Sequence, residues 1–332
     1  MVEYRKARAE EADDILDFIN YVFSQAHNPH DFKKFNPAMY DSGYPFWKEH
    51  YVAVENGRIK ATLSITKKET ERAGMKLIHG HVGQVSVHPY SRGAGHMKEL
   101  MRMADEDMQR DGWDFAELNG LRQRYEYFGY TQGDCRCMMT VTSTNIRHAL
   151  KGKESSFGVR QRTDNTIWET KWDLLDENGN AVGMVGKGTL VLDDLSRAPE
   201  ACDAFFRASG ETMMTISAPL YDTERIRAIS SFCEDVMFKT RMQYRVYHFD
   251  RFLKAGLTLR AQAGLLQDGE RTIEIDGKPL RIAVKDGQVT VEEGRAGEGR
   301  KLTAMQAQEM MFSTASAALY PDMPAGWFPI SL

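Results

Sequence analysis

Residues 84–130, QVSVHPYSRGAGHMKELMRMADEDMQRDGWDFAELNGLRQRYEYFGY, decide the fold of this chain, and the run Val85–Lys98 within them, VSVHPYSRGAGHMK, carries its chemistry. Val85, Ser86 and Val87 read as the end of a strand, Pro89 stops it, and Arg92-Gly93-Ala94-Gly95 turns the chain into a helix. Glycine lets main-chain N–H groups approach a ligand closely. The first turn of the helix adds donors without partners and the positive end of the helix dipole. The turn therefore suits a phosphate, and the Arg92 guanidinium strengthens it. Met97, Leu100, Met101, Ala104 and Met108 recur on one face, which marks the helix, and Asp111-Gly112 ends it.

Beyond that helix, Trp113–Leu118 reads as a short strand, Asn119-Gly120 as a turn and Gln123–Phe128 as a short helix closed by Gly129. Tyr130 then leads into a strand over Cys135–Val141. At this point the block resembles the cofactor half of a GCN5-related N-acetyltransferase. That family carries Arg-x-x-Gly-x-Gly/Ala after its fourth strand and a Tyr-x-x-x-Gly-Phe/Tyr pattern further on. The counterparts here are Arg92-Gly93-Ala94-Gly95-His96-Met97 and Tyr125-Glu126-Tyr127-Phe128-Gly129-Tyr130. Met97 stands where most of the family has Gly or Ala, a departure that resembles the enhanced-intracellular-survival subfamily. A dinucleotide-binding Gly-x-Gly-x-x-Gly turn is the rival reading, with Glu117 as its acidic residue. It lacks the third glycine, because Lys98 stands there, and Pro89 separates strand from turn.

The resemblance implies acetyl-CoA as co-substrate, held by Val85, Val87, Arg92, Gly93, Ala94, Gly95, His96 and Met97. It implies Tyr125 as the acid that protonates the departing thiolate, a role its phenol, with an ordinary pKa near 10, can fill. The base is less marked. His88 at the strand end and Glu117 on the next strand are two choices. A third, implied by the resemblance, is the chain's own terminal carboxylate at Leu332. The family's acceptor pocket coincides with an early loop rich in rings and acids, and Phe23, Asp31, Phe32 and Trp47 are its candidate contacts.

The order of elements before the block agrees with such a fold. A first strand near Val2–Ala7 is followed by a helix over Glu11–Gln25 and a loop to about Tyr44. Strands at Tyr51–Glu55 and Arg58–Lys67 are joined by Asn56-Gly57, and a further strand runs over Lys76–Val87. We expect an α/β (α+β) chain of three units. Residues 1–142 are the acetyl-CoA-binding unit. Residues 143–240 form a structural α/β unit similar to the second, cofactor-free domain of the subfamily. Residues 241–332 form a meander and helix similar to its sterol-carrier-like domain. In the last unit Asp276-Gly277 and Asp286-Gly287 are hairpin turns, and Thr303 with Gln306 forms a capping box.

The 332 residues are 42% hydrophobic and 27% charged, with a net charge of −4, the balance of a soluble globular protein rather than a nucleic-acid binder. The charged start, MVEYRKARAEEADD, predicts no signal peptide, and no apolar run reaches the length of a membrane span. The four cysteines, Cys135, Cys137, Cys202 and Cys233, lack metal-site spacing, so we expect buried thiols, no metal and a cytoplasmic location. The expected partner is a small-molecule amine, and the resemblance suggests an aminoglycoside-like polyamine, with a lysine side chain as the other acceptor. It also implies a homo-oligomer, hexameric or trimeric. The competing class is a carrier protein whose terminal sheet holds an apolar ligand; the intact set Arg92, Gly95 and Tyr125 favours the enzyme.

Overall fold

The structure, a computed structural model, describes residues 1–26, 29–162 and 170–332. The first unit begins with β1 (Val2–Lys6) and α1 (Ala12–Ala26), whose Ile15, Leu16, Ile19 and Val22 are buried. The ring-rich loop contains two single-turn helices, α2 (Phe32–Phe35) and α3 (Pro37–Tyr40). Next come β2 (His50–Glu55), β3 (Arg58–Arg72) and β4 (Met75–Val87), then α4 (His96–Arg110), β5 (Phe115–Leu118), α5 (Arg122–Glu126) and β6 (Thr131–Thr142). Asn56 and Gly57 both take positive φ, as a two-residue hairpin turn requires. Ala73 and Gly74 do the same between β3 and β4, a turn without the Asn-Gly signal.

The middle of the chain folds as α6 (Ser143–Ala149), β7 (Gly158–Gln161), β8 (Lys171–Leu175), β9 (Ala181–Gly186), β10 (Thr189–Leu192) and α7 (Ala198–Ser209). It continues through β11 (Met213–Pro219), α8 (Thr223–Ser230) and β12 (Asp235–Val246). The sequence predicts a strand over Trp168–Leu175, of which Lys171–Leu175 is found as β8; Trp168 and Glu169 lie outside the described residues. The C-terminal part comprises α9 (Phe249–Gln262), β13 (Gly269–Ile275), β14 (Lys278–Lys285), β15 (Gln288–Glu293), β16 (Arg300–Leu302), α10 (Ala304–Phe312) and α11 (Ser316–Leu319). Thr303 Oγ1 accepts from the Gln306 N–H, and the Gln306 side chain accepts from the Thr303 N–H at 2.9 Å, so the capping box forms.

Among the described residues there are three sheets, and the largest has the order β1-β2-β3-β4-β5-β12-β6-β11. Two strands from the middle of the chain thus complete the sheet that the first unit begins. A division at 240/241 falls inside β12, which is continuous from Asp235 to Val246; the sequence predicts a strand over Arg241–Phe249 and no helix after it, whereas the strand starts earlier and Phe249 opens α9. The helix was missed because its buried Phe252, Leu253, Ala255 and Leu257 lie among small and polar residues without a Ser/Thr/Asp cap.

One face of the sheet packs on α4 through Leu100, Met101, Ala104 and Met108. The other face packs on the C-terminal unit, where Phe115 meets Tyr244 and Phe252 edge-on at 5.4 and 5.1 Å, and Tyr244 meets Phe312 at 5.3 Å. The chain's tail is part of that core. Trp327 is fully buried, and its indole N–H donates to the Gln267 carbonyl at 2.9 Å. A buried Trp removes roughly 150–250 Å² from water, worth about 4–6 kcal/mol at ~25 cal/mol per Å². The apolar end of the sequence predicts burial of Trp327, Phe328, Ile330 and Leu332; the first three are buried and Leu332 is half-buried.

Candidate functional site

Strand β4 makes the site by outrunning its neighbour. It pairs in parallel with β5 only from His79 to Val82, and there the two separate. On the other side its register against β3 slips between Thr62 and Ser64, and Gln84 takes a positive φ of 47°. This bulge twists the strand end, as bulges do, and the Ser64 hydroxyl bonds the Gln84 side chain beside it. Val85 and Val87 then line a cleft of about 700 Å³ that reaches α4 and α5.

Gly93 and Gly95 take φ of 85° and 83°, and a Cβ on either would meet nothing within 4 Å. Glycine is required there for conformation, and the turn stays open to a ligand. Gly95 is the N-cap of α4 and offers no side chain to the first-turn N–H groups. Ser91, Arg92, Gly93, Gly95, His96, Met97 and Lys98 line this wall of the cleft. Ala94 does not. His96 contributes its main chain, because its buried imidazole is held by the Tyr4 hydroxyl at Nδ1, 2.9 Å away.

The opposite wall comes from α5 and the turn after it, through Arg124 and Phe128. The lining thus includes the cations Arg92, Lys98 and Arg124 and no carboxylate, which fits a polyphosphate. Ser91, Lys98, Arg124, Phe128 and Val22 were not among the residues expected from the sequence. Lys98 was within reach, lying one turn beyond Gly95; Arg124 had no signal except its place beside Tyr125.

Tyr125 is buried behind this wall, its ring edge-on to Tyr130 at 6.3 Å. Burial pushes its phenol up, and the Arg124 guanidinium pulls the other way. The segment is fixed from behind. Arg245 of β12 bonds the Phe128 carbonyl and pairs with Asp105 of α4 at 2.7 Å, and the Tyr247 hydroxyl donates to the same carboxylate at 2.9 Å. The Gln308 side chain donates to the Gly129 carbonyl at 3.0 Å and accepts from the Val246 N–H at 2.7 Å. Gly129 has a φ of 82°, and a Cβ there would strike Arg245.

The other candidates are dispersed. Phe23 lines the cleft beside Val22. Phe32 packs edge-on against it at 5.2 Å, one layer behind. Asp31 caps α2 by accepting from the Lys34 N–H at 3.3 Å and pairs with the Lys34 ammonium at 3.1 Å. Trp47 lies further back, with the Lys48 ammonium over its ring. His88 is outside the lining; its ring stacks with Tyr21 at 5.6 Å and its Nδ1 accepts from the Tyr90 N–H at 3.3 Å. Leu332 is half-buried against the C-terminal core, next to Ser331, whose hydroxyl accepts from the Leu220 N–H at 3.0 Å.

Glu117 faces away from the cleft, among Lys68 at 3.0 Å, His81 at 3.4 Å and His79 at 3.8 Å. Burial opposes its charge, yet these partners hold its carboxyl at about 2. Such a carboxylate is a weak base. Burial lowers His79 to about 4 and His50 to about 3 from 6.5. The Thr62 hydroxyl, which donates to the Tyr51 carbonyl, accepts from His50 Nδ1 at 2.9 Å, while the buried His50 Nε2 has no partner among the described residues. Both imidazoles stay unprotonated in the folded chain while the unfolded chain gains protons below about 6.5. Stability is therefore lost as pH falls through that window, by roughly 2 kcal/mol per imidazole between pH 7 and 5. Urea unfolding at the two pH values checks this, and equal midpoints would contradict it.

Among the described residues no group of His, Cys, Asp and Glu can hold a metal ion, and no helix is long and apolar enough to cross a membrane. Residues 3–133 match the family described as acetyltransferase (GNAT) domain. No curated protein matches the chain. Among solved structures, the chain resembles a probable N-acyltransferase from Enterococcus faecalis V583, with 14% identity, TM-score 0.66 and coverage of 96% of this chain and 93% of that one. A GCN5-related N-acetyltransferase from Anabaena variabilis gives 13%, 0.67, 96% and 92%. Eis1 from Mycobacterium abscessus gives 12%, 0.59, 99% and 94%. At these identities the likeness is one of fold, and it spans nearly the whole of each chain. Over residues 3–133 the chain is thus similar to a GNAT acetyltransferase domain, and over nearly its whole length it shares the fold of these solved structures.

Proposed function

We propose that the protein moves the acetyl group of acetyl-CoA to a primary amine of a small cytoplasmic molecule. The observation that carries this reading is the open, uncapped Gly93–Gly95 turn at the start of α4, set in a cleft with three cations and no carboxylate. When bound, acetyl-CoA supplies the activated thioester. The main-chain N–H groups from Gly93 to Met97 and the Arg92 guanidinium hold its pyrophosphate, and Lys98 and Arg124 add charge along the cleft. Val85 and Val87, beyond the end of β5, face the arm that carries the acetyl group.

Tyr125 gives its proton to the departing thiolate, and its raised pKa keeps that proton in place at neutral pH. The terminal carboxylate of Leu332 takes the proton of the attacking amine; His88 is the second choice, its Nδ1 already engaged by Tyr90. Phe23 and Phe32 on the α1 side receive the acceptor, with an aminoglycoside-like polyamine preferred over a lysine side chain. In the carrier-like C-terminal unit, the space between sheet and helices is filled by Ile273, Ile282, Phe312 and Trp327, which favours docking over transport of an apolar ligand.

Acetyl-CoA at a hundredfold excess over its Kd should stabilise the protein by roughly 2.7 kcal/mol. Gly95→Asp, which sets a carboxylate in the turn at a φ suited to glycine, should abolish that response and leave the fold intact. A mutant stabilised as much as the parent would sink the phosphate assignment, and a response to NAD instead would revive the dinucleotide reading. Thiol release with a panel of amines then selects the acceptor.

A further inference from the structure

Strand β12 is paired along its length on one side and along only part of it on the other. Against β6 the ladder runs from Asp235 to Tyr244, whereas against β5 it covers only Gln243–Val246. From Asp235 to Met242 the edge towards β5 has no strand partner among the described residues. Its side chains are unlike those of a solvated edge. Val236, Met237 and Phe238, three apolar residues in a row, are 45%, 57% and 57% exposed. Proteins usually protect an open edge with charge in its middle. Here the middle is apolar and the charges stand at the ends, Glu234 and Asp235 before it and Lys239 and Arg241 after it.

We propose that this edge pairs with the same edge of a second copy of the chain, antiparallel, about a twofold axis at Met237. The charges select this occupant. Antiparallel self-pairing sets Asp235 opposite Lys239 of the second copy, twice, and a parallel arrangement would oppose like charges. The apolar residues select the register. Centred on Met237, each Val236 faces a Phe238 and the two Met237 residues face each other. Centred one residue later, Met237 would face Lys239 and Val236 would face Thr240. The contact is self-complementary, as a twofold interface must be, and joins two large sheets into one by main-chain hydrogen bonds. It does not depend on the proposed acetyl acceptor or on the acid and base.

Sedimentation equilibrium on the full chain tests it. The parent protein should have an even multiple of the monomer mass. Phe238→Asp should halve that mass while the circular dichroism and the acetyl-CoA thermal shift stay unchanged, since the side chain is exposed. Asp235→Lys and Lys239→Asp should each weaken association at least tenfold, and the double variant D235K/K239D should restore it. A monomeric parent, a mass indifferent to Phe238→Asp, or a double variant no better than the single ones would each overturn the pairing.

Discussion

Tyr125→Phe should lower turnover by about 10²–10⁴, the usual worth of a general acid, with little change in acetyl-CoA affinity. The ring sits in the core against Tyr130, and Phe keeps that packing while removing the proton. The cofactor turn lies on the other wall of the cleft and is untouched. Because burial raises the phenol's pKa, the acid form persists through neutral pH, so loss of its proton should lower the parent's rate on the alkaline side alone. Steady-state thiol release across pH, beside calorimetric binding of acetyl-CoA, separates the outcomes. A mutant with full turnover would move the acid elsewhere, whereas a mutant that loses affinity as much as turnover would make Tyr125 a packing residue of the wall.

Extending the chain by a few residues after Leu332 should leave acetyl-CoA binding intact and remove most activity, again by about 10²–10⁴ if the terminal carboxylate is the base. The tail is held to its last residues. The Ile330 N–H donates to the Met311 carbonyl at 2.7 Å, Ser331 accepts from Leu220, and Leu332 packs on the C-terminal core. An added segment therefore keeps the anchor and displaces only the charge. Full activity in the extended protein would pass the role to His88, Glu117 or a water, and His88→Ala would be examined first. Glu117 is the weaker substitute, since Lys68, His81 and His79 already hold its charge.

Local signals made the cofactor side of the molecule legible. Arg92, Gly93, Gly95 and the stripe from Met97 to Met108 are contiguous, so a strand, a turn and a helix could be read from residues that touch one another in sequence. The proposed acceptor side depends on distant segments. That Phe23 reaches the cleft while Asp31 is spent on capping α2 follows from where α1 lies against β4, which no short pattern encodes. The same holds for the support of Tyr125. Gly129 could be read as a helix end, but the requirement for glycine comes equally from Arg245, a residue far along the chain. His96 shows the opposite limit, for it lines the cleft while its side chain serves Tyr4.

The position of β12 has a bearing on how the protein is made. The strand lies between β5 and β6, yet it is synthesised after the whole middle of the chain. A nascent polypeptide that already contains the Gly93–Gly95 turn and Tyr125 still has a slot in its central sheet. Arg245, Tyr247 and Gln308, which brace the Tyr125 segment, have not yet been translated. The ribosome must release the polypeptide beyond Val246 before the slot closes, and beyond Gln308 before the brace is complete. Maturation of the cleft thus belongs to the last third of translation, although the residues that line it are all made by Phe128.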